Sequence, residues 1–262
     1  MANILILGGG FSGVAAAESL AKQITSEHQI TLVSRSSRFV AHPSLVDFAF
    51  GKHGIDDISH NLRETMHDRR VRFVQGEIAR VDPYERLVTL AHGEVRGQMP
   101  YDYLIFALGG RLATERITGF YEHAHHTLTV EAALKFGEAI RGFKEGRAVI
   151  GYSPETRLAV PAYETAFALS RFLEDRGERG RAQITIVSPE RMGAKSAASE
   201  SALRDALNEQ NIELLRDVSI NRATAKSVVT SLGARIDYDL LMLLPPLRGA
   251  SAVRGMGITD QD

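Results

Sequence analysis

The chain has 262 residues, of which 44% are hydrophobic and 24% charged, and it contains neither Cys nor Trp. This composition is typical of a soluble globular protein with one large domain or two smaller ones. The absence of Cys excludes disulfides, thiolate metal sites, Cys nucleophiles and cysteine-ligated iron–sulfur clusters. Any electron transfer therefore needs a bound cofactor.

The 31 basic and 32 acidic side chains nearly cancel, and like charges form no block. This balance disfavours nucleic acid as a partner. The N-terminus lacks the basic and long apolar stretches of a secretory signal, and no window approaches the roughly 20 apolar residues of a membrane span. We therefore expect a cytoplasmic protein without a membrane span.

A βαβ unit is predicted at the start of the chain. The apolar run Asn3–Leu7 predicts a buried strand, helical spacing predicts a helix over Ser12–Ile24, and Gln29–Val33 predicts a second strand. Strand, helix and strand within some 30 residues form a parallel strand pair with a crossover helix.

A small β-meander is predicted next, from short strand patterns at Val71–Val74, Glu77–Val81 and Arg86–Leu90. The run Tyr101–Ala107 then returns to a buried strand of the parallel type. Helical spacing predicts a helix over Glu131–Arg141.

A second βαβ unit follows. Its predicted elements are strand Arg147–Ile150, helix Ala162–Asp175, strand Gln183–Val187, helix Ser199–Gln210 and strands Glu213–Leu215, Ser227–Ser231 and Asp239–Leu244. The whole pattern predicts an α/β fold of two Rossmann-like lobes with parallel sheets, over residues 1–115 and 116–262. The change of lobe is placed in the polar, His-rich segment Arg111–Glu131.

A glycine-rich turn, residues 8–13, joins the first predicted strand to the first helix. Gly8 is expected to make the tight turn, Gly10 to let the backbone approach a pyrophosphate, and Gly13 to let helix and strand pack closely. The free N–H groups of the turn, which also contains Phe11 and Ser12, then face the phosphates. The alternative is that these glycines only form a turn.

The second strand ends without the usual acidic residue. Ser34 occupies the place where Asp or Glu would accept a hydrogen bond from a ribose hydroxyl. Its hydroxyl can still make one bond, and Arg35 could reach the adenine side or a phosphate. The alternative is an ordinary polar strand end.

Five segments together resemble a known family. They are Gly8–Gly13, Phe39–Ser44, Tyr101–Gly109, Pro161–Glu164 and Pro245–Gly249. In these segments the chain is similar to the sulfide:quinone oxidoreductases and flavocytochrome c sulfide dehydrogenases. More widely, it resembles flavoproteins with two dinucleotide-binding domains, which include type II NADH dehydrogenases.

The resemblance implies that the N-terminal lobe holds FAD. The implied contacts are the pyrophosphate at Gly8, Gly10 and Gly13, the adenosine near Ser34, Arg35 and Ile78, the flavin ring near Pro43, and closure of the site by Ala107 and Gly109. His42, beside Pro43, is a further residue that the resemblance places near the cofactor. Leu108 stands where the family usually has Thr.

The positions of the family's redox cysteines hold other residues. One cysteine is expected at Leu128 and a second within Leu158, Ala159 and Val160, while the family histidines fall on Ala132 and Ala194. Because the chain has no thiol to carry a persulfide, sulfide oxidation by the family mechanism is not expected.

The second βαβ unit is not expected to hold NAD(P)H. Its turn, Gly151–Glu155, has a single glycine and a Pro. Tyr152 and Glu155 would crowd and repel a pyrophosphate at the place where bare backbone donors are needed.

Glu164 has two interpretations. By resemblance it is a carboxylate near the flavin that moves protons, and hence the candidate catalytic residue. Otherwise it complements the N-terminus of a helix begun by Pro161, which contributes a few tenths to about 1 kcal/mol.

His123, His125 and His126 could indicate a metal, but side chains at adjacent positions seldom converge. We therefore predict no metal site and assign these histidines to a solvated loop between the lobes.

The family continues well beyond the stretch that resembles residues 255–260, into a second half of the flavin site and a membrane-docking part. Either this sequence is a fragment, or a short form binds FAD weakly or not at all. The apolar surface left by such a missing part makes a homodimer a further expectation. We predict an FAD-dependent oxidoreductase with an unidentified electron donor and an acceptor such as a quinone. The alternative is a non-catalytic relative that binds a nucleotide or a partner protein.

Overall fold

The computed structural model describes residues 1–95, 97–156, 158–189, 197–253 and 256, without the side chains of residues 197–199. The chain divides into two compact units. Unit 1 comprises Met1–Ala41, Asp56–Arg111 and the described residues from Arg248 onward, and unit 2 comprises His42–Ile55 and Leu112–Leu247. The chain passes from unit 1 to unit 2 after Arg111, whereas the predicted boundary follows residue 115. The excursion of His42–Ile55 into unit 2 is a feature that the sequence patterns do not indicate.

The helices and strands, in chain order, are as follows. The first part holds β1 (Asn3–Leu7), α1 (Phe11–Gln23), β2 (Gln29–Ser34), β3 (Arg38–Val40), α2 (Leu45–Ala49), β4 (Ser59–Asn61), α3 (Leu62–Asp68), β5 (Arg72–Asp82), β6 (Leu87–Gly93), β7 (Gly97–Pro100) and β8 (Tyr103–Phe106). The second part holds β9 (Gly110–Leu112), α4 (Phe120–His123), α5 (Val130–Gly142), β10 (Gly146–Tyr152), α6 (Val160–Asp175), β11 (Ala182–Val187), α7 (Ala197–Glu209), β12 (Ile212–Leu215), β13 (Ile220–Ala223), β14 (Ser227–Thr230), β15 (Arg235–Asp237), β16 (Leu240–Leu244) and β17 (Leu247–Gly249).

Unit 1 is built on a six-stranded sheet in the order β7-β6-β5-β2-β1-β8. The strands β5, β2, β1 and β8 are mutually parallel, and β6 and β7 add the antiparallel meander. The small strands β3 and β4 pair separately. The predicted α/β fold with Rossmann-like parallel sheets is confirmed.

The prediction of two short strands at Val71–Val74 and Glu77–Val81 is wrong, because both belong to the continuous strand β5. Its first half pairs with β2 and its second half with β6, with bulges next to Ile78. Gly76 lies between the two predicted strands. In the sheet it is a close-approach position, since a Cβ there would lie 3.1 Å from the Leu90 side chain.

The parallel sheet of unit 2 has the same topology as the parallel part of the unit 1 sheet, β5-β2-β1-β8, but its strands are joined by different connections. Its parallel sheet runs β12-β11-β10-β16, and β13, β14 and β15 form an antiparallel sheet beside it. The strand β10 extends to Tyr152, two residues beyond its predicted end. Among the described residues, no helix has the length and apolar character that crossing a membrane would require.

The central strands of both units are buried on both faces. In β1, the fully buried Ile6 packs with the cluster under α1, and Leu7 packs with the cluster on the opposite face. Phe136 of α5 and Ile150 of β10 are likewise fully buried in unit 2. Because strands so enclosed cannot shift, they fix the position of the loops at their carboxyl ends.

The excursion His42–Ile55 is anchored in unit 2 by aromatic packing. The Phe50 ring lies 6.4 Å from that of Phe136 and 5.8 Å from that of Phe172. The backbone of Ala49 approaches Gly137 so closely that a Cβ on Gly137 would lie 2.5 Å from the Ala49 carbonyl oxygen. Pro43 and its neighbour His42 therefore belong to unit 2, whereas the other predicted FAD-binding residues belong to unit 1.

Candidate functional site

The glycine turn of unit 1, residues 8–13, begins at Gly8. Gly8 has a φ of +112°, and its N–H donates to the Val33 carbonyl oxygen at 2.8 Å. A Cβ at this position would lie 2.2 Å from the Ala107 carbonyl oxygen. Both the backbone conformation of Gly8 and the close approach of Ala107, which follows β8, therefore require glycine.

Gly9 and Gly13 complete an interlocked turn. A Cβ on Gly9 would lie 2.6 Å from both the Ser34 Oγ and the Leu62 Cδ1, and one on Gly13 would lie 1.8 Å from the Gly8 carbonyl oxygen. The first turn of α1 thus packs directly on the backbone at the end of β1.

Gly10 differs from its neighbours because it faces open space. It is exposed, has φ −83° and ψ −169°, and a Cβ there would meet no described atom within 4 Å. It is the N-cap residue of α1, and no side chain caps the helix. Phe11 and Ser12 are exposed as well. The uncapped N–H groups and the positive end of the helix dipole therefore point toward solvent, which is the arrangement that binds a phosphate.

The end of β2 lies beside this turn. Ser34 is 8% exposed, and the position of its Oγ relative to Gly9 places the hydroxyl against the glycine turn. Arg35 is exposed, and its carbonyl oxygen accepts a hydrogen bond from the Gln75 Nε2 at 3.3 Å. The predicted Gly8, Gly13, Ser34 and Arg35 are therefore brought to one edge of the sheet. Gln75 is a further residue of this edge that the sequence reasoning did not find.

The remaining predicted residues of unit 1 lie around the same sheet. Ile78 is half-buried and packs on the cluster that contains Leu7. Ala107 follows β8, its N–H donating to the Leu7 carbonyl oxygen at 2.8 Å. Leu108 packs into that cluster, and Gly109 is exposed with φ +65°.

In unit 2, the position that corresponds to Gly8 holds a large side chain. Strand pairing aligns Leu7 with Val33 in unit 1 and Gly151 with Val187 in unit 2, so Tyr152 corresponds to Gly8. Tyr152 is only 7% exposed.

The Tyr152 cluster consists of Tyr152, Tyr163 and Ser188. The Tyr152 hydroxyl lies 2.7 Å from the Ser188 Oγ and 3.4 Å from the Tyr163 hydroxyl. Burial raises the pKa of Tyr163, and the neighbouring Tyr152 raises it further. The Tyr163 phenol is therefore neutral, and the Tyr152 side chain occupies the carboxyl end of β10.

The loop after Tyr152 differs from the glycine turn. The helix α6 begins at Val160 and has Pro161 in its first turn, a residue without an N–H group to offer a ligand. Within the loop, the Glu155 carboxylate lies 3.5 Å from the Arg116 guanidinium.

Glu164 is the fifth residue of α6, and the first turn of this helix contains no acidic residue. The interpretation of Glu164 as a first-turn partner of the helix N-terminus is therefore wrong. The helix begins at Val160, two residues before the predicted Ala162. Pro161 lies within its first turn, where a residue without an N–H group is tolerated. Partial burial raises the pKa of Glu164, and the nearby carboxylate of Asp47 raises it further.

The histidine segment is not a solvated loop. His125 and His126 are half-buried, and the His125 backbone bridges the edge of β16, donating to Leu241 and accepting from Leu243. Burial lowers the pKa of His126 to about 4, with a further contribution from His125. Among the described residues, no group of three or more His, Asp or Glu side chains is arranged to hold a metal ion.

The positions where the family's cysteines would fall hold apolar residues without a common environment. Leu128 is half-buried, while Leu158 is 60% exposed. Ala132 lies in the first turn of α5, where its N–H donates to the Thr129 side chain. Ala194 lies outside the described residues.

Comparison with known proteins identifies a family that the sequence matches. The sequence model of the pyridine nucleotide-disulphide oxidoreductases matches residues 2–244. A sulfide-quinone reductase from Aquifex aeolicus is 26% identical over 266 residues, which cover 97% of this chain and 61% of that protein. A type II NADH:quinone oxidoreductase from Haemophilus influenzae is 24% identical, covering 100% of this chain and 66% of the relative.

Solved structures of similar proteins have the same fold. The sulfide:quinone oxidoreductase from Aquifex aeolicus superimposes with a TM-score of 0.91 at 26% identity, covering 98% of this chain and 61% of that structure. The NDH2 from Plasmodium falciparum in complex with NADH gives a TM-score of 0.80 at 17% identity, covering 96% and 56% respectively, and shows the fold alone. The chain spans about three fifths of the length of the sulfide-quinone relatives that it matches.

Proposed function

Because the chain belongs to the pyridine nucleotide-disulphide oxidoreductase family, we propose that unit 1 binds FAD and that the protein is a flavin-dependent oxidoreductase. The observation that carries this proposal is the glycine turn at the end of β1. Three of its glycines are locked against neighbouring atoms, while Gly10 and the uncapped start of α1 are open. A diphosphate fits this arrangement because it needs backbone N–H donors without an intervening side chain.

The residues of unit 1 would hold the nucleotide part of FAD. The N–H groups at Gly10, Phe11 and Ser12 would bind the diphosphate, and Ser34 would contact the ribose. The bound isoalloxazine ring would supply two-electron redox chemistry that no side chain of this chain provides. The contact of the flavin with Pro43 and the proton-moving role of Glu164 remain predictions.

A quinone is the acceptor that we propose, since relatives named for sulfide–quinone and NADH–quinone reactions match the chain over most of its length. The donor is not sulfide oxidised through protein thiols. The chain has no Cys, so no side chain can form and carry a persulfide.

NAD(P)H is not expected to bind unit 2. The Tyr152 cluster occupies the end of β10, and the start of α6 is displaced from it by a loop that contains Pro154 and Glu155. The bare donors of the unit 1 turn therefore have no equivalent at this position.

A non-catalytic relative is the alternative. The closed end of β10 in unit 2 favours it, because a side chain holds the place where a second nucleotide would be needed. In that case the protein would bind a nucleotide in unit 1 without turnover. The homodimer and the cytoplasmic location remain predictions.

The test is Gly10→Asp. The backbone at Gly10 suits any residue, and the added side chain meets open space. Asp is also a favourable N-cap, so the variant should be as stable as the wild type or more stable by about a few tenths of a kcal/mol. Its carboxylate would repel a diphosphate, so FAD affinity should fall at least about tenfold. Titration of flavin fluorescence measures the affinity, and thermal unfolding measures the stability.

Gly180→Asp is the matched control, since Gly180 is also exposed and faces open space, but in unit 2. Its FAD affinity should equal that of the wild type. Wild-type protein that takes up no FAD, or a Gly10→Asp variant that binds FAD as tightly as the wild type, would refute the proposed cofactor site.

A further inference from the structure

A cavity lies at the amino end of the parallel sheet of unit 2, where β10 and β11 begin. Its volume is about 670 Å³. The charged side chains that line it are the basic Arg147, Arg181, Lys226 and Arg235 and the acidic Asp237 and Asp239. This amino-end cavity is at the other end of β10 from the Tyr152 cluster. Its lining carries more positive than negative charge.

Arg147 is held in a fixed orientation at this cavity. Strand pairing places it opposite Gln183 of β11, and its Nε and Nη2 groups donate to the Gln183 Oε1 at 3.1 and 2.9 Å. The Gln183 Nε2 donates in turn to the Glu213 Oε2 at 3.1 Å. The hydroxyl of the buried Thr185 donates to the same oxygen at 2.9 Å. A chain of hydrogen bonds across β10, β11 and β12 therefore orients the guanidinium.

The direct partner of this guanidinium is a neutral amide oxygen, which orients the positive charge without cancelling it. An arginine carries five N–H groups in a fixed fork, and the Gln183 oxygen accepts only two of them. Because the fork is already oriented, an anion that binds Arg147 orders less of a flexible side chain. Arg147 is therefore prepared to bind an anion in the cavity.

The two acidic side chains of the cavity are engaged by the protein. Asp237 forms an ion pair with Arg235 at 3.0 Å. The Asp239 Oδ2 accepts a hydrogen bond from the Arg147 backbone N–H at 2.8 Å. Gly146 has a φ of +100°, and a Cβ there would lie 2.2 Å from the same Asp239 oxygen. Asp239 therefore fixes the backbone where β10 begins.

The remaining positive charge suits a phosphate group. Within the described part of the chain, no carboxylate forms an ion pair with Arg147, Arg181 or Lys226. A guanidinium binds phosphate through parallel, charge-assisted hydrogen bonds, and an ammonium binds it as a point charge. The volume lies within the range of about 300 to 1,000 Å³ typical of small-molecule sites. Tyr238, which is 7% exposed, adds an aromatic wall. A phosphorylated small molecule fits these features.

We infer that the amino-end cavity of unit 2 is a binding site for a small molecule that carries phosphate. Arg147 anchors the phosphate, and Arg181 and Lys226 add positive charge around it. The inference goes beyond the proposed function and does not depend on it, because every residue of this site belongs to unit 2.

The experiment is calorimetric titration with inorganic pyrophosphate at one fixed, low ionic strength. The protein carries Gly10→Asp, so that the glycine turn of unit 1 does not contribute. We expect binding, and a loss of about tenfold or more in affinity when Arg147→Met removes the guanidinium but keeps an apolar stem. Gln183→Leu leaves every charge in place and removes the oxygen that orients Arg147, so affinity should fall about threefold or more.

Arg171→Met is the control, since Arg171 is an exposed arginine on α6 that does not line the cavity. Its affinity should stay within about twofold. Thermal unfolding checks that each variant is folded, and Arg181→Met, at an exposed position, replaces Arg147→Met if the latter is unfolded.

The inference is overturned if the Gly10→Asp protein does not bind pyrophosphate. It is also overturned if Arg147→Met and Arg171→Met lose affinity equally, which would indicate attraction by overall charge, or if Gln183→Leu binds as tightly as its parent. Titration of the wild type with FAD reports on the proposed function separately, so either proposal can fail while the other stands.

Discussion

Each unit has its own parallel sheet, and the two sheets have the same strand topology. The units differ at the strand end where a nucleotide would bind. Both contain parallel strands in the same order, β5-β2-β1-β8 in unit 1 and β12-β11-β10-β16 in unit 2. Their second strands carry nearly the same sequence, Gln-Ile-Thr-Leu-Val-Ser up to Ser34 and Gln-Ile-Thr-Ile-Val-Ser up to Ser188. The units are thus two versions of one design.

The two units differ after the first strand of each parallel sheet, β1 in unit 1 and β10 in unit 2. Unit 1 continues β1 into Gly8 and an open helix start, whereas unit 2 continues β10 into Tyr152, whose phenol contacts Ser188. In unit 2 the protein's own hydroxyl thus contacts the serine that corresponds to Ser34 of unit 1. The comparison teaches that the sheet tolerates both endings, and that binding capacity depends on a few loop residues.

The largest expected effect tests the locked part of the unit 1 turn. Gly13→Ala would force a methyl group against the Gly8 carbonyl oxygen, so we expect a loss of about 3 kcal/mol or more in the free energy of unfolding. Gly10→Ala adds the same methyl group in open space and only exchanges the N-cap for a poorer one, so it should lose no more than about 1 kcal/mol. Urea denaturation followed by circular dichroism measures both. Equal stability of the two variants would show that the turn is not interlocked.

The second prediction concerns pH and unit 2. Burial lowers the pKa of His126 to about 4, below the ordinary value of about 6.5, so folding favours its neutral form. The preference for neutral His126 therefore adds to the free energy of unfolding in full above pH 6.5, and this addition is lost as the pH falls toward 4. We expect the loss to reach up to about 3 kcal/mol in the free energy of unfolding.

His126→Gln should flatten the pH dependence of unfolding between these two values, and His53→Gln, at an exposed position of unit 2, should not. The burial of His126 would be disproved if the wild type and His126→Gln lost stability in parallel on acidification.

The smallest expected effect tests the Tyr152 cluster. Tyr152→Phe removes the hydroxyl that contacts the buried Ser188, and we expect a loss of about 1 to 2 kcal/mol in the free energy of unfolding. Tyr121→Phe, at a position that is 83% exposed, should have no effect. Thermal or urea unfolding compares the two. A Tyr152→Phe variant as stable as the wild type would mean that the phenol does not hold the end of β10.

Patterns local to a few residues predicted much of this structure. The runs Asn3–Leu7 and Gln29–Val33 became β1 and nearly all of β2. The spacing of the glycines between them matches a turn in which three of the four glycines have no room for a Cβ. Buried strands and tight turns are visible in sequence because their constraints act on neighbouring residues.

Other features depended on partners that are distant in the chain. The strand β5 runs through Gly76 because β2 and β6 hold its two halves. The polar histidines are half-buried because β16 pairs with the backbone of His125. The excursion that carries Pro43 into unit 2 follows from the packing of Phe50 on α5 and α6. None of these partners can be identified from periodicity within one segment.

The sequence by itself determined the class of the fold, the place of the glycine turn and the absence of thiol chemistry, because each depends on residue types and their local order. Only the tertiary structure decided that Gly10 is open while Gly8 and Gly13 are locked, and that Tyr152 reaches Ser188. These properties are distances between residues that are far apart in sequence, and packing across the sheet sets them.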